Sequence, residues 1–383
     1  MGRFFIPNIG EPISWESLEE SPFRPEINAM LNAEQEPDWR AKGNVWNHTK
    51  LVLERLIESD EWKNFDEYLR SALFVEALLH DLGKTLCSRI EDGRIISPNH
   101  SSIGARNART LLWKRFNLAG TEEKRSFREL VCTLIKYHSK PPHFDCGEVA
   151  YYNLLAVSSE GHLIKGFSNR LLSTLVEADL RGRVSPRIQS ALEILELYRE
   201  GARECECFEK PYSFASDFSR RAFFARRIDS PRIDLYDDTW GEIILTSGLP
   251  GVGKDAFIKR NLSFLPVVSL DDIRSSLNLS PIGPQDAGLQ IARDKAKVLL
   301  RAREPFVWNS ANVAPFFRDP LANLCEAYGA SVRIIYLETP WDEELRRNAK
   351  RDSTVPRSVI ERYLTKLEPP TPREARRVDW FIV

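Results

Sequence analysis

A glycine-rich turn followed by one lysine is the segment whose residue types most directly suggest chemistry. The stretch "IILTSGLPGVGKDAF", residues 243–257, has the spacing G-x-x-x-x-G-K, with Gly248, Gly253 and Lys254 at its three fixed positions. In such a turn, backbone N–H groups around Gly251 and Gly253 point at phosphate oxygens, and the lysine adds a positive charge. The alternative is a glycine turn before a helix, with a lysine that is there by chance.

The residue after this lysine departs from the usual motif. Asp255 stands where Ser or Thr normally offers a hydroxyl to Mg²⁺. A carboxylate at this position can bind Mg²⁺ directly or through water. We therefore expect ATP or another nucleoside triphosphate (NTP), together with Mg²⁺, as cofactors. The residues expected to bind them are Gly248, Gly251, Gly253, Lys254 and Asp255.

An acid and an arginine follow the second predicted strand of this region. In "VVSLDDIR", residues 267–274, Asp271 stands at a strand end, where parallel sheets face their ligands. A carboxylate there can take the proton of an attacking hydroxyl, and Arg274 can bind an acceptor phosphate through two parallel N–H groups. A helix N-cap with its first-turn acid accounts equally well for Asp271 or Asp272. It does not account for Arg274, which lies near the N-terminal end of the predicted helix, where the helix dipole disfavours a positive charge.

Basic residues crowd a later predicted helix, in "ELRRNAKRDSTVP", residues 344–356. Arg347 and Arg351 are four residues apart and therefore share one helix face. Such a pair can clamp a polyphosphate as part of a mobile lid. A solvated basic face is the alternative interpretation.

Histidine and aspartate residues in the first half of the chain form a second candidate site. His80, His138 and Asp179 lie on the apolar stripes of three different predicted helices. A buried unpaired carboxylate is costly, and metal coordination removes that cost. One such residue alone is more often a satisfied core group, whereas several on converging faces favour a shared metal site. The candidate ligands are His48, His80, Asp81, His100, His138 and Asp179, whereas His143 and His162 fall in loop-like stretches.

Two kinds of periodicity divide the chain. From about residue 44 to residue 206, apolar residues recur at three- and four-residue spacing without strand alternation, which predicts an all-α domain. After Trp240, the β-rich runs "EIILTS", "FLPVVSL", "PFVWNSA", "SVRIIYLE" and "VDWFIV" alternate mostly with helical stretches, which predicts an α/β domain with a mainly parallel sheet. We therefore expect a multidomain protein with an all-α domain over residues 1–207, a connecting segment over 208–240 and an α/β domain over 241–383.

Composition limits the partners and the cellular setting. The 383 residues are 42% hydrophobic and 28% charged, and the net charge is −1, so a nucleic-acid contact must be a local patch. Six cysteines without a C-x-x-C pair indicate reduced thiols in a cytosolic protein. No apolar run approaches the length of about 18 residues that indicates a membrane span, and the N-terminus lacks a signal-peptide core. We expect a cytoplasmic protein with no membrane partner.

Residues 240–383 resemble the polynucleotide 5′-kinase branch of the P-loop phosphotransferases. The resemblance rests on the glycine-rich turn, on S-x-D-x-x-R in "SLDDIR", and on the basic helix. It implies that Lys254 stabilises the donor phosphates and that Asp271 is the general base. Arg274 would hold the phosphate next to the attacked 5′-OH. The implied lid residues are Arg347 and Arg351, and Asn309 in "WNSAN" would have a supporting role.

Residues 44–183 resemble the HD phosphohydrolase superfamily. The matching residues are His48, the "HDLGK" of residues 80–84, "HSSIGA" from His100, "KYH" ending at His138, and Asp179. The resemblance implies one or two divalent transition-metal ions and a phosphoester substrate, with Lys84 neutralising the phosphate. The first metal would be bound by His48, His80, Asp81 and Asp179, and the second by Asp81, His100 and His138.

The order of the two halves is similar to one bacterial family, the HD-Pnk type of bifunctional RNA end-healing enzyme. That resemblance implies phosphorylation of a 5′-OH on RNA or DNA and removal of a 2′,3′-cyclic, 2′- or 3′-phosphate from RNA, with an RNA ligase acting afterwards. Two alternatives stay open. One is a nucleotide or metabolite kinase fused to an HD nucleotidase, and the other is a kinase regulated by a metal-free HD sensor domain.

Overall fold

The computed structural model of the protein describes residues 6–35, 43–183, 185–277, 286–351 and 354–383. It divides into two compact units, Met1–Ser213 and Phe214–Val383. Within the segment expected to connect the domains, residues 208–213 fall in the first unit and residues 214–240 in the second. No helix in the described part of the chain is long and apolar enough to cross a membrane.

The first unit is built mainly from helices, as the three- and four-residue apolar spacing predicts. Polar caps begin several of them, and the Asn44 side chain accepts a hydrogen bond from the backbone N–H of Asn47 at 3.0 Å. The α-helices of this unit are α1 (Trp15–Glu19), α2 (Arg24–Leu31), α3 (Val45–Glu58), α4 (Asp60–Asn64), α5 (Glu67–Leu79), α6 (Lys84–Cys87), α7 (His100–Lys114), α8 (Glu122–Tyr137), α9 (Glu148–Ser158), α10 (Asn169–Arg181) and α11 (Ile188–Glu204).

A small hairpin and two short turns of 3-10 helix interrupt these helices. Strands β1 (Arg89–Glu91) and β2 (Arg94–Ile96) pair antiparallel, and the 3-10 turns are Pro141–His143 and Ser159–His162. The expectation that no strand occurs between residues 44 and 206 is therefore wrong for this one hairpin. Because each strand has only three residues, it is too short to show the alternation on which that expectation depended.

The second unit is an α/β domain around a parallel five-stranded sheet with the order β4-β5-β3-β6-β7. The five predicted β-rich runs form these five strands. The strands are β3 (Glu242–Ser247), β4 (Val267–Ser269), β5 (Val307–Asn309), β6 (Ser331–Glu338) and β7 (Arg377–Ile382). The helices are α12 (Asp217–Phe224), α13 (Lys254–Asn261), α14 (Leu270–Ser276), α15 (Asp286–Ala302), α16 (Pro315–Ala327), α17 (Trp341–Ala349) and α18 (Arg357–Leu364).

Both faces of the central strand β3 are covered by apolar side chains. Ile243 and Leu245 pack into one buried cluster, and Ile244 packs into another. Because successive side chains of a strand point to opposite faces, this alternation places β3 between two layers of core. The sheet order then brings the carboxyl ends of β4, β5 and β3 side by side, which is the edge where ligands bind in such sheets.

The basic residues of α12 bind within the second unit. Arg221 donates from Nε to Glu326 Oε1 at 2.7 Å, and Arg220 donates to the backbone oxygen of Arg376 at 2.8 Å. The aromatic and basic composition of residues 214–240 thus reflects packing onto the α/β domain.

Candidate active sites

Six ionisable residues from five different helices or helix ends meet inside the first unit; we call them the histidine–aspartate cluster. His48 lies in α3, His80 and Asp81 follow α5, His100 begins α7, His138 follows α8, and Asp179 lies in α10. All except His100, which is half-buried, are buried. The six are the candidate metal ligands that the sequence predicts.

The cluster consists of two groups of three ligand atoms, each within 4.8 Å of one another. One group is His48, His80 and Asp179, and the other is Asp81, His100 and His138. Asp81 faces both: its Oδ2 lies 3.3 Å from His80 Nε2, and its Oδ1 lies 3.7 Å from His100 Nε2. Asp81 therefore occupies the position of a carboxylate that could bridge two ions.

All four histidine rings are oriented in the same way. Each Nδ1 lies within hydrogen-bond distance of a backbone carbonyl oxygen, which favours the tautomer that carries its proton on Nδ1. The distances from Nδ1 are 2.7 Å to Ala77 O for His80, 2.7 Å to Ile135 O for His138, 3.0 Å to Ser97 O for His100 and 3.3 Å to Gly182 O for His48. Each Nε2 then offers a lone pair to the centre of the cluster.

Burial favours the neutral form, which metals bind, for two of these rings, His138 and His100. Burial, together with the nearby His80 and His100, lowers the pKa of His138 to about 3. Burial also lowers the pKa of His100. His80 Nε2 is buried and makes no hydrogen bond to any residue that the structure describes. Imidazole and carboxylate donors in this arrangement fit one or two divalent transition-metal ions.

Three cationic groups surround the cluster. Lys84, the predicted phosphate-neutralising residue, donates to Asp81 Oδ2 at 2.6 Å. Arg183 donates to Asp179, and both Arg183 and Arg187 line the cavity above the cluster. This cavity, called the cluster cavity below, has a volume of about 500 Å³. It is lined by Gln35, Asp81, Lys84, Ile95, Ser97, His100, His138, Ser139, Pro142, His143, Leu180, Arg183, Arg187, Ser190, Ala191 and Ile194.

The glycine-rich turn joins β3 to α13 in the second unit. Gly248, Gly251 and Gly253 have φ angles of 146°, 98° and 107°, a region that favours glycine. A Cβ on Gly248 would lie 2.5 Å from the backbone oxygen of Leu337, so no larger residue fits there without a shift. Lys254 begins α13 and donates from Nζ to the backbone oxygens of Gly248 and Leu249 at 3.1 and 2.8 Å.

The predicted phosphoryl-transfer residues line a single pocket, called the phosphate pocket below. Its volume is about 310 Å³. Lys254, Asp255, Asp271, Arg274, Arg347 and Arg351 all contribute to its wall, together with Gly251 and Gly253. Gly248 lies in the same turn but outside that lining. Residues 352–353 of the predicted lid segment lie outside the described residues.

Asp255 is positioned by a neighbouring strand end. Asn309, the last residue of β5, donates from Nδ2 to Asp255 Oδ1 at 2.6 Å. Thr246 of β3 donates from Oγ1 to Asn309 Oδ1 at 3.0 Å. This chain of hydrogen bonds fixes one carboxylate oxygen of Asp255, and within the described part of the chain no hydrogen bond to the other oxygen is found.

The acid and the arginine that follow β4 form a pair. Arg274 donates from Nη1 to Asp271 Oδ1 at 3.0 Å, and Asp271 is 67% exposed. Asp272 does not line the phosphate pocket, and its backbone N–H is capped by Ser269 Oγ at 3.2 Å. The geometry therefore favours Asp271 over Asp272 as the residue that faces a substrate.

One of the two predicted lid arginines contacts the glycine-rich turn directly. Arg347 donates from Nη1 to the backbone oxygen of Val252 at 2.9 Å and from Nε to Glu343 Oε1 at 2.6 Å. Its side chain is 33% exposed, and Arg351 is also only partly exposed. The expectation that the two share one helix face is wrong, because α17 ends at Ala349 and Arg351 lies beyond it. Both side chains nevertheless line the phosphate pocket.

The match to a family model lies in this second unit. Residues 243–370 match the family model described as an AAA domain. The match spans the glycine-rich turn, Asp271, Arg274 and the two predicted lid arginines. The second unit is an α/β domain with a P-loop, and over these residues it is similar to AAA domains. A solved structure of a protein from Chloroflexus aurantiacus, assigned as a kinase, is similar at 14% identity over 38% of this chain and 86% of that chain, with a TM-score of 0.32.

Two buried glutamates interact electrostatically with residues of the two sites, and the sequence analysis did not predict them. In the P-loop domain, Glu344 is 1% exposed, and burial raises its pKa to about 7 against the attraction of Lys254. In the first unit, burial raises the pKa of Glu76 well above its usual range, and Asp179 and Asp81 add to the effect. Neither carboxylate makes a hydrogen bond within the described residues. Glu76 precedes His80 by four residues on α5, which is the one sequence signal that could have indicated it.

Proposed function

We propose that this protein heals nucleic-acid ends with two activities. The P-loop domain phosphorylates the 5′-OH of RNA or DNA with ATP or another NTP and Mg²⁺. The helical unit, acting as an HD-type phosphoesterase, removes a 2′,3′-cyclic, 2′- or 3′-phosphate from RNA ends. The observation that carries the proposal is the presence of two separate constellations, each complete in one unit: the phosphate pocket and the histidine–aspartate cluster.

The residues of the phosphate pocket suit transfer of a phosphoryl group to a hydroxyl. The 5′ oxygen attacks the γ-phosphorus, its proton passes to Asp271, and the bond from that phosphorus to the β-phosphate oxygen breaks. Lys254 and Arg347 line the same pocket, and their positive charges would balance the negative charge that develops on the transferring group. Arg274 is partly exposed beside Asp271, which allows it to bind a phosphate of an acceptor chain.

The residues of the helical unit suit hydrolysis of a phosphoester. Divalent metal held by the six cluster residues would supply a water of lowered pKa and a Lewis acid. The positively charged Lys84 side chain binds Asp81, and Arg183 and Arg187 place further positive charge in the wall of the cluster cavity. These side chains balance the negative charge of a bound phosphate. Backbone carbonyls orient the imidazole rings, and His80 Nε2 offers a lone pair. Both features favour a metal-binding phosphoesterase over a metal-free sensor domain.

One substrate tests both activities. An oligoribonucleotide with a 5′-OH and a 2′,3′-cyclic phosphate is incubated with the protein, with and without NTP and Mg²⁺, and both termini are analysed. We expect 5′ phosphorylation only with NTP and phosphate removal in both reactions. Lys254→Ala should abolish the first activity and leave the second, and Asp81→Ala should do the converse.

Three results would contradict the proposal. A free nucleoside phosphorylated in preference to the oligonucleotide would favour a nucleotide or metabolite kinase. Asp81→Ala protein that stays folded by circular dichroism but loses kinase activity would favour a sensor role for the helical unit. Wild-type protein that purifies without transition metal and binds none when supplied would also exclude the phosphoesterase. If both activities are found, an RNA ligase that joins 5′-phosphate and 3′-OH ends is the partner that this chemistry implies.

A further inference from the structure

A second cavity of about 410 Å³ adjoins the cluster cavity. The two share His100, Ser139 and His143 in their walls. A hydrogen bond of 2.8 Å from Ser101 Oγ to Ser139 Oγ ties the start of α7 to the end of α8 at this shared wall. Any ligand that extends beyond the cluster on this side therefore enters the adjoining cavity.

The lining of the adjoining cavity suits a ligand with negative charge. Lys136, Lys140 and His143 lie in its wall, and none of the described residues that line it is acidic. Lys140 and His143 are exposed, and Lys136 is half-buried. α7 also begins here, so its first-turn N–H groups add positive potential to that of the lysines.

The same cavity also offers groups that suit a nucleoside. Asn153 presents an amide, Ser102 presents a hydroxyl, and Leu154 and Val157 provide apolar surface. This combination of phosphate-binding cations with a mixed polar and apolar wall is typical of contacts to one nucleotide of a single strand. A small phosphate ester that occupied only the cluster cavity would not reach these residues.

We propose that the adjoining cavity binds the penultimate nucleotide of an RNA strand whose terminal nucleotide lies in the cluster cavity. Lys136 and Lys140 contact the phosphodiester that joins the two nucleotides. The inference rests on the proposed phosphoesterase function and adds to it a preference for RNA chains over mononucleotides. The adjoining cavity thus selects the substrate by length, whereas the cluster carries out the reaction.

The test compares two substrates at several salt concentrations. One is a nucleoside 2′,3′-cyclic monophosphate, and the other is a short oligoribonucleotide that ends in the same group. We expect wild-type protein to have a higher kcat/KM for the oligonucleotide. The double variant Lys136→Ala, Lys140→Ala should lower the ratio of kcat/KM for the oligonucleotide to kcat/KM for the mononucleotide by about tenfold or more. We also plot the logarithm of kcat/KM for the oligonucleotide against the logarithm of the salt concentration. Replacing one lysine should reduce the magnitude of this slope by about 0.7, the value for one phosphate contact to a single strand.

Lys165→Ala is the matched control, because Lys165 is an exposed lysine of the same unit that lines neither cavity. It should leave the ratio at the wild-type value. Equal kcat/KM values for both substrates in wild-type protein would overturn the inference while the proposed function stands. An unchanged ratio in the double variant would also overturn it. If wild-type protein with bound metal hydrolyses neither substrate, the proposed phosphoesterase and this subsite both fail.

Discussion

The Nε2 atoms of His100 and His138 face each other at 3.2 Å, while each Nδ1 bonds a backbone carbonyl oxygen. When each ring carries its proton on Nδ1, two lone pairs face each other and repel unless a proton or a metal ion binds between them. We expect His138→Ala to purify with less divalent transition metal than wild-type protein, as measured by atomic emission spectrometry. His143→Ala is the control, because His143 lines the same cavity but belongs to neither group of ligands. Equal metal contents in both variants would argue against the cluster as a metal site.

Asp271 and Asp272 provide a matched pair for the general base. We expect Asp271→Asn to lower kcat for 5′ phosphorylation by about 10²–10⁴, because no group would take the proton of the attacking hydroxyl. Asp272→Asn should remain close to wild type. Both residues are exposed, so stability should change by no more than about 0.5 kcal/mol. The reverse pattern in steady-state kinetics would assign the role of base to Asp272.

Arg347 and Arg346 both bind Glu343, but only Arg347 lines the phosphate pocket. Arg347→Ala should therefore lower kcat/KM for NTP-dependent phosphorylation by about tenfold or more, since a charge-assisted contact is lost. Arg346→Ala removes a similar ion pair and should have little effect on catalysis. Thermal unfolding of both variants provides the check on structure. A large loss of stability in Arg347→Ala alone would identify a structural residue.

Asn309 should influence Mg²⁺ use through Asp255. Without the 2.6 Å hydrogen bond from Asn309, the Asp255 carboxylate loses its fixed orientation. We expect Asn309→Ala and Asp255→Ala each to raise the Mg²⁺ concentration needed for half-maximal kinase activity. Asn312→Gly is the control, because Asn312 bonds the backbone of Thr246 without touching Asp255, and glycine tolerates its φ of 41°. A Mg²⁺ titration unchanged by Asp255→Ala would refute a metal role for that residue.

Glu344 makes the stability of the nucleotide-free protein depend on pH. Its pKa is about 7 in the folded chain, against 4.5 for an ordinary glutamate, so ionisation opposes folding. Below pH 4.5 the Glu344 carboxyl is protonated in both the folded and the unfolded chain, so it does not oppose folding. As the pH rises through 7, the unfolded chain is favoured increasingly and this part of the stability is lost. We expect Glu344→Gln to be more stable than wild type by about 1–3 kcal/mol at pH 8, with a smaller gain at pH 5.

Urea unfolding at the two pH values, without NTP, measures this difference. Glu343→Gln is the control, because the Glu343 carboxylate binds both Arg346 and Arg347 and has a pKa lowered to about 2. That substitution should give no stability gain at pH 8. A gain for Glu344→Gln that is the same at pH 5 and pH 8 would show that ionisation of Glu344 is not its cause.

Local sequence determined the elements and most of the residues that carry chemistry. The period of the apolar residues indicated helices before residue 206 and five strands after Trp240, because each period fixes which face of an element is buried. The G-x-x-x-x-G-K spacing located the P-loop for a similar reason: positive φ angles and close backbone approach admit little besides glycine. Such constraints act within a few residues and can be read along the chain.

Only the tertiary structure decided which of these groups meet. His48 and Asp179 are 131 residues apart in sequence, yet Nε2 and Oδ1 lie 2.8 Å apart. The support of Asp255 by Asn309, the burial of Glu344 and the position of His143 between two cavities likewise depend on packing between distant elements. A residue type and its local period do not specify these contacts. The desolvation and neighbouring charges that set protonation exist only once the core has formed.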